Sequence, residues 1–266
     1  MERPNMLSRA VAALCVLFSL SGTAELFAQD AQASALRVCT RPAPGFFTLD
    51  AAGQPGGLEF DLLNGFASAT GRRITFEPAP SFDQLLKDVE AGRCQIGAST
   101  VTVSEERKAR FKFSVPYFPN RIVVVQMTAT GFASPADLKE RRVAVVKGTI
   151  SERLVSAIPG VLPLVVGEDA AGFDALLKGE VHAFACDSAV VLHHLGVYKD
   201  IGMAFPIGER SFFAFALPRD SSLVAPLDEY LRRVIRSGEF KKMLAKHFGE
   251  ANAEMLADDV AESLGK

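Results

Sequence analysis

Short apolar runs alternate with amphipathic segments along most of the chain. The runs at 35–40, 121–127 and 143–146 have the length of strands and are bounded by glycine, proline or polar residues. Between such runs, apolar side chains recur every three or four residues, as in the segment 57–71, which ends at a glycine. This alternation predicts an α/β fold with largely parallel sheets.

The same pattern predicts the order of the elements. Strands are expected at 35–40, 72–79, 94–102, 121–127, 143–146, 161–167, 182–186 and 211–218. Helices are expected at 57–71, 81–92, 134–142, 149–158, 171–180 and 187–196, and in two pieces at 221–249, broken at Gly238.

Two similar groups of strand–helix units indicate two lobes. A chain of 266 residues is long enough for two lobes of about 100 residues each. The strands at 121–127 and 211–218 lie between the groups, so we expect them to cross from one lobe to the other. The predicted parts are lobe 1 at 34–123 plus 212–250, lobe 2 at 128–208, and a loosely docked acidic tail at 251–266.

The segment 1–28 is of a different kind. Two arginines precede an apolar run at 10–20, which is followed by small residues that allow cleavage after Ala24, Ala28 or Ala33. This pattern is typical of a secretory signal peptide, and the apolar run is shorter than a membrane span. We therefore expect an exported, periplasmic protein.

Composition excludes some function classes and leaves the cysteines open. The formal net charge is −2 and no basic stripe is present, so no nucleic-acid partner is expected. The histidines lack acidic or thiol partners at metal-binding spacing, so no metal or other cofactor is expected. After the predicted cleavage Cys39, Cys94 and Cys186 remain, each in an apolar run. We expect buried free thiols in preference to a Cys39–Cys94 bridge.

The stretch "STVTVSEERKARFKFSVPYF" at 99–118 carries the main candidate chemistry. Thr102 ends a predicted strand, and Arg107 lies in the first turn of the helix that follows. An arginine at a helix start opposes the helix dipole, so another interaction has to favour it there. Either Arg107 is one of several solvated charges, or it binds a carboxylate with two parallel hydrogen bonds.

Two further junctions between strand and helix resemble ligand positions. Gly148 and Thr149 begin a helix whose free N–H groups favour anions, and Asp187 begins another after an apolar strand. Each also suits an ordinary helix cap, and Gly148 alone does not make a phosphate-binding loop.

Five motifs, in order, resemble the extracellular solute-binding proteins for polar amino acids that serve ABC importers. They are "VCT", "GLEFDLL", "TVSEERKARFKFSVPYF", "VAVVKGT" and "VHAFACD", and they span about 210 residues of this chain. The resemblance implies the periplasmic binding protein type II fold, in which two α/β lobes on a two-strand hinge close over a ligand.

The resemblance also implies roles for matching residues. The α-carboxylate of an amino acid would be bound by Arg107, with help from Thr102 and from the helix start at Gly148 and Thr149. Ile150 stands where a hydroxyl residue is common in the family, which removes one donor to that carboxylate.

The remaining implied contacts concern the ammonium group and the side chain of the ligand. Asp187 and the carbonyl group of Thr100 would bind the α-ammonium group, and Phe82 would pack on the ligand. Arg41 stands where many members have an acidic residue, so it disfavours a cationic side chain and suits a polar or acidic one. The alternative is that Arg41 is an ordinary surface arginine.

The implied function is the capture of a small amino acid, or of a related carboxylate, by a monomeric, non-enzymatic protein that delivers it to an ABC transporter permease. The alternative is an enzyme on the same fold, a cyclohexadienyl (prephenate or arogenate) dehydratase, with Glu152 and Asp187 as candidate acids. The segments typical of those enzymes appear here only as "GTIS" and "CDSA".

Overall fold

The computed structural model describes residues 35–194 and 198–265. The predicted signal peptide at 1–28 lies outside the described residues. The strands are β1 (Leu36–Thr40), β2 (Thr48–Leu49), β3 (Pro55–Gly56), β4 (Ile74–Pro78), β5 (Ile96–Ala98), β6 (Lys112–Phe113), β7 (Phe118–Met127), β8 (Arg142–Val146), β9 (Leu162–Val166), β10 (Ala183–Asp187), β11 (Ile201–Phe213) and β12 (Ala216–Leu217).

Helices cover the sheets and alternate with the strands as predicted, except that the segment predicted as a helix at 134–142 forms only a 3₁₀ turn. They are α1 (Leu58–Ala69), α2 (Phe82–Glu90), α3 (Glu105–Lys108), α4 (Ile150–Ser156), α5 (Asp169–Leu177), α6 (Ser188–His194), α7 (Val224–Arg236), α8 (Glu239–Phe248) and α9 (Glu250–Leu264), with a 3₁₀ turn at Pro135–Leu138. None of the described helices is long and apolar enough to cross a membrane.

The strands form two five-stranded sheets and a small β2–β3 hairpin. The order is β4-β1-β5-β12-β6 in the first sheet and β11-β7-β10-β8-β9 in the second. Parallel pairs join β4, β1 and β5, and also β10, β8 and β9, whereas β12 and β7 pair antiparallel with their neighbours. The α/β prediction is confirmed, but each sheet is mixed and not largely parallel.

Two long antiparallel strands, β7 and β11, connect the regions around the two sheets. At one end, Phe118 and Phe213 pack in the core that also holds α1 and α7. At the other end, Val125 and Ile201 pack in the core of the second sheet. These strands have the position expected for a hinge, while the lobe boundaries given above remain a proposal.

Two strands differ from their predicted bounds for local reasons. β5 ends at Ala98, because Thr100 has a φ of 50° and turns the chain away from the sheet. Thr102 then returns to form an isolated antiparallel bridge with Phe213. β11 begins ten residues before the predicted 211, because the segment 201–207, which contains Gly202 and Pro206, pairs with β7.

The acidic tail is a helix, but it is not loosely docked. Ala253, Leu256 and Val260 of α9 are buried in the core next to α8 and β7. Asp259 also pairs with Arg210 of β11 at 2.5 Å. α9 therefore packs directly on the two crossing strands.

The preference for free thiols is wrong for two of the three cysteines. Cys39 of β1 and Cys94, just before β5, form a disulfide with a Cα–Cα distance of 5.6 Å. Cys94 lies in the bend that leads into β5, and β5 is the parallel neighbour of β1, which carries Cys39. Cys186 is a buried free thiol, as predicted.

Candidate ligand-binding cleft

A cavity lies where strand ends of both sheets face each other. Parallel strands present their carboxyl ends and the following helix starts at one edge of a sheet, which is where ligands bind in open α/β folds. Its walls are Arg41, Pro42, Ala43, Phe82, Ser99, Thr100, Thr102, Arg107, Val146, Thr149, Ile150, Ser151, Asp169, Cys186 and Asp187. Seven of the eight residues predicted for the site are among them. The eighth, Gly148, touches the site through its carbonyl oxygen, which accepts a hydrogen bond from Arg107.

Arg107 is the most buried cation of this region, with 5% of its surface exposed. One terminal nitrogen donates to the carbonyl oxygen of Thr102 at 3.0 Å, and the other donates to that of Gly148 at 3.3 Å. Its guanidinium carbon lies 5.0 Å from the centre of the Phe82 ring, within the range of a cation–π contact. Arg107 therefore contacts residues that follow both β5 and β8.

Burial makes the charged form of Arg107 costly. Desolvation lowers its pKa to about 10, and the nearby carboxylate of Asp187 partly opposes this shift. The guanidinium remains protonated at neutral pH. A buried cation of this kind favours an anionic partner in the cavity, because its present acceptors are neutral carbonyl groups.

The acidic wall comprises Asp187 at the end of β10 and Asp169 at the start of α5. Burial raises the pKa of Asp187 to about 7, and the charge of Asp169 adds to the rise. The side-chain amide of Asn120 donates to Asp187 and opposes it, as does the charge of Arg107. Two acidic side chains on one wall favour a cationic group in the cavity.

Hydroxyl groups begin the helices around the cavity. Ser104 accepts from the backbone N–H of Arg107 at 3.3 Å, and Thr149 accepts from that of Glu152 at 3.3 Å. Ser151, 2% exposed, lines the cavity and lies 2.7 Å from the Thr149 hydroxyl oxygen. The Thr149 hydroxyl donates to the Val146 carbonyl oxygen at 2.6 Å, so Ser151 is the donor in its contact with Thr149.

Arg41 is half-buried in the loop after β1 and lines the cavity. In the described part of the chain its side chain has no hydrogen bond or ion pair to another residue. The role of Arg41 toward a ligand stays a prediction. Glu152, in contrast, does not line the cavity, because its carboxylate accepts from the backbone N–H of Gly148 at 2.6 Å.

Comparison with known proteins identifies the family. Residues 36–250 match the bacterial extracellular solute-binding proteins, family 3. The chain belongs to this family. A protein of Neisseria gonorrhoeae named "Probable histidine-binding protein" is 30% identical over 224 residues, which cover 79% of this chain and 81% of that protein.

This chain is also similar to a longer protein and to solved structures. A membrane-bound lytic murein transglycosylase F of Pseudomonas syringae pv. tomato is 25% identical over 227 residues, and this chain spans only 46% of its length. Among solved structures, an ancestral arginine-binding protein bound to arginine has a TM-score of 0.76 at 26% identity, covering 81% of this chain and 99% of that chain. A mutant of ArgBP from T. maritima has a TM-score of 0.78 at 24% identity, covering 84% and 99%. The predicted family and fold class are confirmed.

Sequence reasoning missed three polar residues that line this family-3 cleft, Ser99, Ser151 and Asp169, and also Asn120, which donates to Asp187. Asn120 lies within the long strand β7, and only the pairing of β7 with β10 brings it to Asp187. Asp169 begins a helix, where an acidic residue is common for local reasons. In the described residues, no group of three metal-binding side chains occurs.

The raised pKa of Asp187 predicts a pH dependence of stability. The folded protein keeps a proton on Asp187 up to about pH 7, whereas the ordinary value is 3.8, so folding takes up a proton between these values. The contribution of Asp187 to the free energy of unfolding is therefore fully present below pH 3.8 and is lost as the pH rises through about 7. Between about pH 5 and pH 8, we expect Asp187→Asn to lose less stability than the wild type.

Urea unfolding at both pH values measures this difference, and other groups cancel because they are common to both proteins. Asp220→Asn, at an exposed position, is the matched control and should follow the wild type. An unchanged pH dependence in Asp187→Asn would show that this carboxyl group is ionised throughout.

Proposed function

We propose that this protein captures a small amino acid in the cleft and delivers it to an ABC transporter permease. The observation that carries the proposal is that Arg107 and Asp187 line one cavity. The carboxylate of a zwitterion can pair with the guanidinium of Arg107, and its ammonium group can pair with Asp187. Each of these buried side chains then gains a partner of opposite charge. The family membership and the arginine-bound relative of the same fold support this assignment.

Capture requires the walls to move. The cavity has a volume of about 40 Å³, much less than an amino acid needs. We propose that β7 and β11 act as the hinge and that ligand contacts from both sides favour closure. The hydrogen bond from Arg107 to the Gly148 carbonyl oxygen at 3.3 Å also joins the two walls.

For the side chain of the ligand, we propose a polar or acidic group. Arg41 is a cation in the cavity without a protein partner among the described residues, so an acidic group gains a charge partner and a cationic one is repelled. Relatives are named for histidine or arginine binding, and those names describe the relatives.

Charge reversal at Arg41 tests this preference. Arg41→Asp should weaken L-glutamate by about tenfold or more and L-glutamine by less, because only glutamate brings a second carboxylate. Calorimetry with both ligands measures the two losses. Arg72→Asp makes the same change of net charge at an exposed site and should alter neither affinity. Equal losses for both ligands at position 41 would refute an acidic preference.

A thermal-shift screen of the twenty amino acids tests the function itself. A ligand at about 1,000 times its Kd adds about 4 kcal/mol to the free energy of unfolding, which moves the midpoint by several degrees. At least one polar or acidic amino acid should do so. If none shifts the midpoint, amino-acid capture is wrong.

We propose that the protein binds without chemical turnover and works in the periplasm. Asp187 is the single one of the two candidate acids that lines the cavity, while Glu152 bonds to its own helix start. Incubation with prephenate or arogenate should therefore return the substrate unchanged, and appearance of an aromatic product would favour the dehydratase alternative.

A further inference from the structure

Glu59 is an acid in the first turn of α1 whose side chain is fully buried. An acid at this position usually stays near water and near the free N–H groups of its own helix. Here one carboxylate oxygen accepts instead from the backbone N–H of Thr100, at 2.7 Å, and from the hydroxyl of Tyr117. The contact therefore joins α1 to a loop 41 residues further along the chain.

Thr100 has a backbone conformation that its residue type disfavours. Its φ of 50° is one of two positive values among the described non-glycine residues, and branched side chains rarely adopt it. The N–H group in this turn leaves the β5 ladder, so it needs another acceptor. The carboxylate of Glu59 is that acceptor, and it thereby holds the turn.

The turn matters for the cleft because it directs three polar residues of the segment 99–102 into it. Ser99, Thr100 and Thr102 all line the cavity, and the Thr102 carbonyl oxygen binds the guanidinium of Arg107. A backbone that relaxed at Thr100 would move these groups together. Glu59 lies outside the cavity lining, so any effect on the ligand acts through Thr100.

We infer that Glu59 is a positioning residue that fixes the left-handed turn at Thr100 and so sets the affinity of the cleft for its ligand. The inference rests on the proposed amino-acid binding. Burial raises the pKa of Glu59 to about 7, and its second oxygen has no hydrogen-bond partner in the described structure. Burying an acid with an unpaired oxygen is unfavourable, so the hydrogen bond to Thr100 is the interaction that accounts for it.

A mutant cycle between positions 59 and 100 tests the inference. Wild type, Glu59→Ala, Glu59→Gln, Thr100→Gly and the double variant Glu59→Ala/Thr100→Gly are titrated by calorimetry with L-glutamate, L-glutamine and L-histidine. Glu59→Ala should weaken the bound probe by about tenfold or more, while Glu59→Gln, which keeps an acceptor, should weaken it less. In the Thr100→Gly background the loss from Glu59→Ala should shrink, because glycine adopts a positive φ without strain.

The matched control is Asp61→Ala, in the same helical turn. Asp61 pairs with Lys246 and His247 and makes no contact with Thr100. It should leave the affinity unchanged even if stability falls. A loss from Glu59→Ala that is equal in both backgrounds would mean that Glu59 acts only on general stability, and the inference would be rejected.

Amide hydrogen exchange at Thr100 separates this inference from the proposed function. Exchange should be slow in the wild type and in Glu59→Gln, and faster by about tenfold or more in Glu59→Ala, with Asp61→Ala unchanged. If the wild type binds none of the twenty amino acids, the proposed function fails, and the exchange result alone decides whether Glu59 holds the turn. Unchanged exchange at Thr100 in Glu59→Ala overturns the inference whether or not a ligand binds.

Discussion

Arg107→Ala is expected to weaken amino-acid binding by about 2–5 kcal/mol, which is roughly 30-fold to several thousandfold. The guanidinium is buried, so its removal leaves the ligand carboxylate in a desolvated cleft without a charge partner. The variant also loses the hydrogen bond to the Gly148 carbonyl, which joins the two walls of the cleft. Isothermal titration with the amino acid that gives the largest thermal shift measures the loss.

Two further variants make the result specific to the guanidinium. Arg107→Lys keeps the charge but loses the planar pair of donors and the stacking on Phe82, so it should fall between wild type and Arg107→Ala. Arg110→Ala removes a neighbouring arginine that pairs with Glu90 at 2.6 Å and does not line the cavity. Its affinity should equal that of the wild type. Undiminished binding by Arg107→Ala would exclude the carboxylate role.

Much of this cleft could be predicted because its signals are local. A polar residue at the end of an apolar strand, such as Asp187, lies at the carboxyl end of the sheet. This position does not depend on contacts with distant segments. The same holds for Thr149, which caps the helix after β8. Arg107 was singled out because a cation at a predicted helix start opposes the helix dipole, and its carboxylate role is what the family resemblance implies.

The features that sequence reasoning missed depend on contacts between distant segments. Nothing near Thr100 indicates a positive φ, since the turn is held by Glu59 from another helix. The segment 201–207 becomes part of β11, despite Gly202 and Pro206, because β7 lies beside it. Asn120 and Asp169 have ordinary local roles, and only the assembled sheets place them beside Asp187. At these positions, contacts between distant segments determine the structure more than local sequence preference does.

Removal of the Cys39–Cys94 disulfide should have the largest effect on stability. The bridge closes a loop with a sequence separation of 55 residues, for which the loss of chain entropy in the unfolded state corresponds to about 4 kcal/mol. Cys39→Ala/Cys94→Ala should therefore lower the free energy of unfolding by about 2–5 kcal/mol. Urea unfolding followed by circular dichroism measures the difference between this variant and the wild type.

Reductant and the third cysteine supply the control. Cys186→Ala keeps the bridge, so it should lose stability on addition of reductant as the wild type does, while Cys39→Ala/Cys94→Ala should show no response to reductant. Cys39 and Cys94 are only 3% and 1% exposed, so reduction of the folded protein should be slow and should speed up in mild urea. Alkylation of Cys39 and Cys94 in the untreated, denatured protein would show that the bridge does not form, and the stability argument would fall with it.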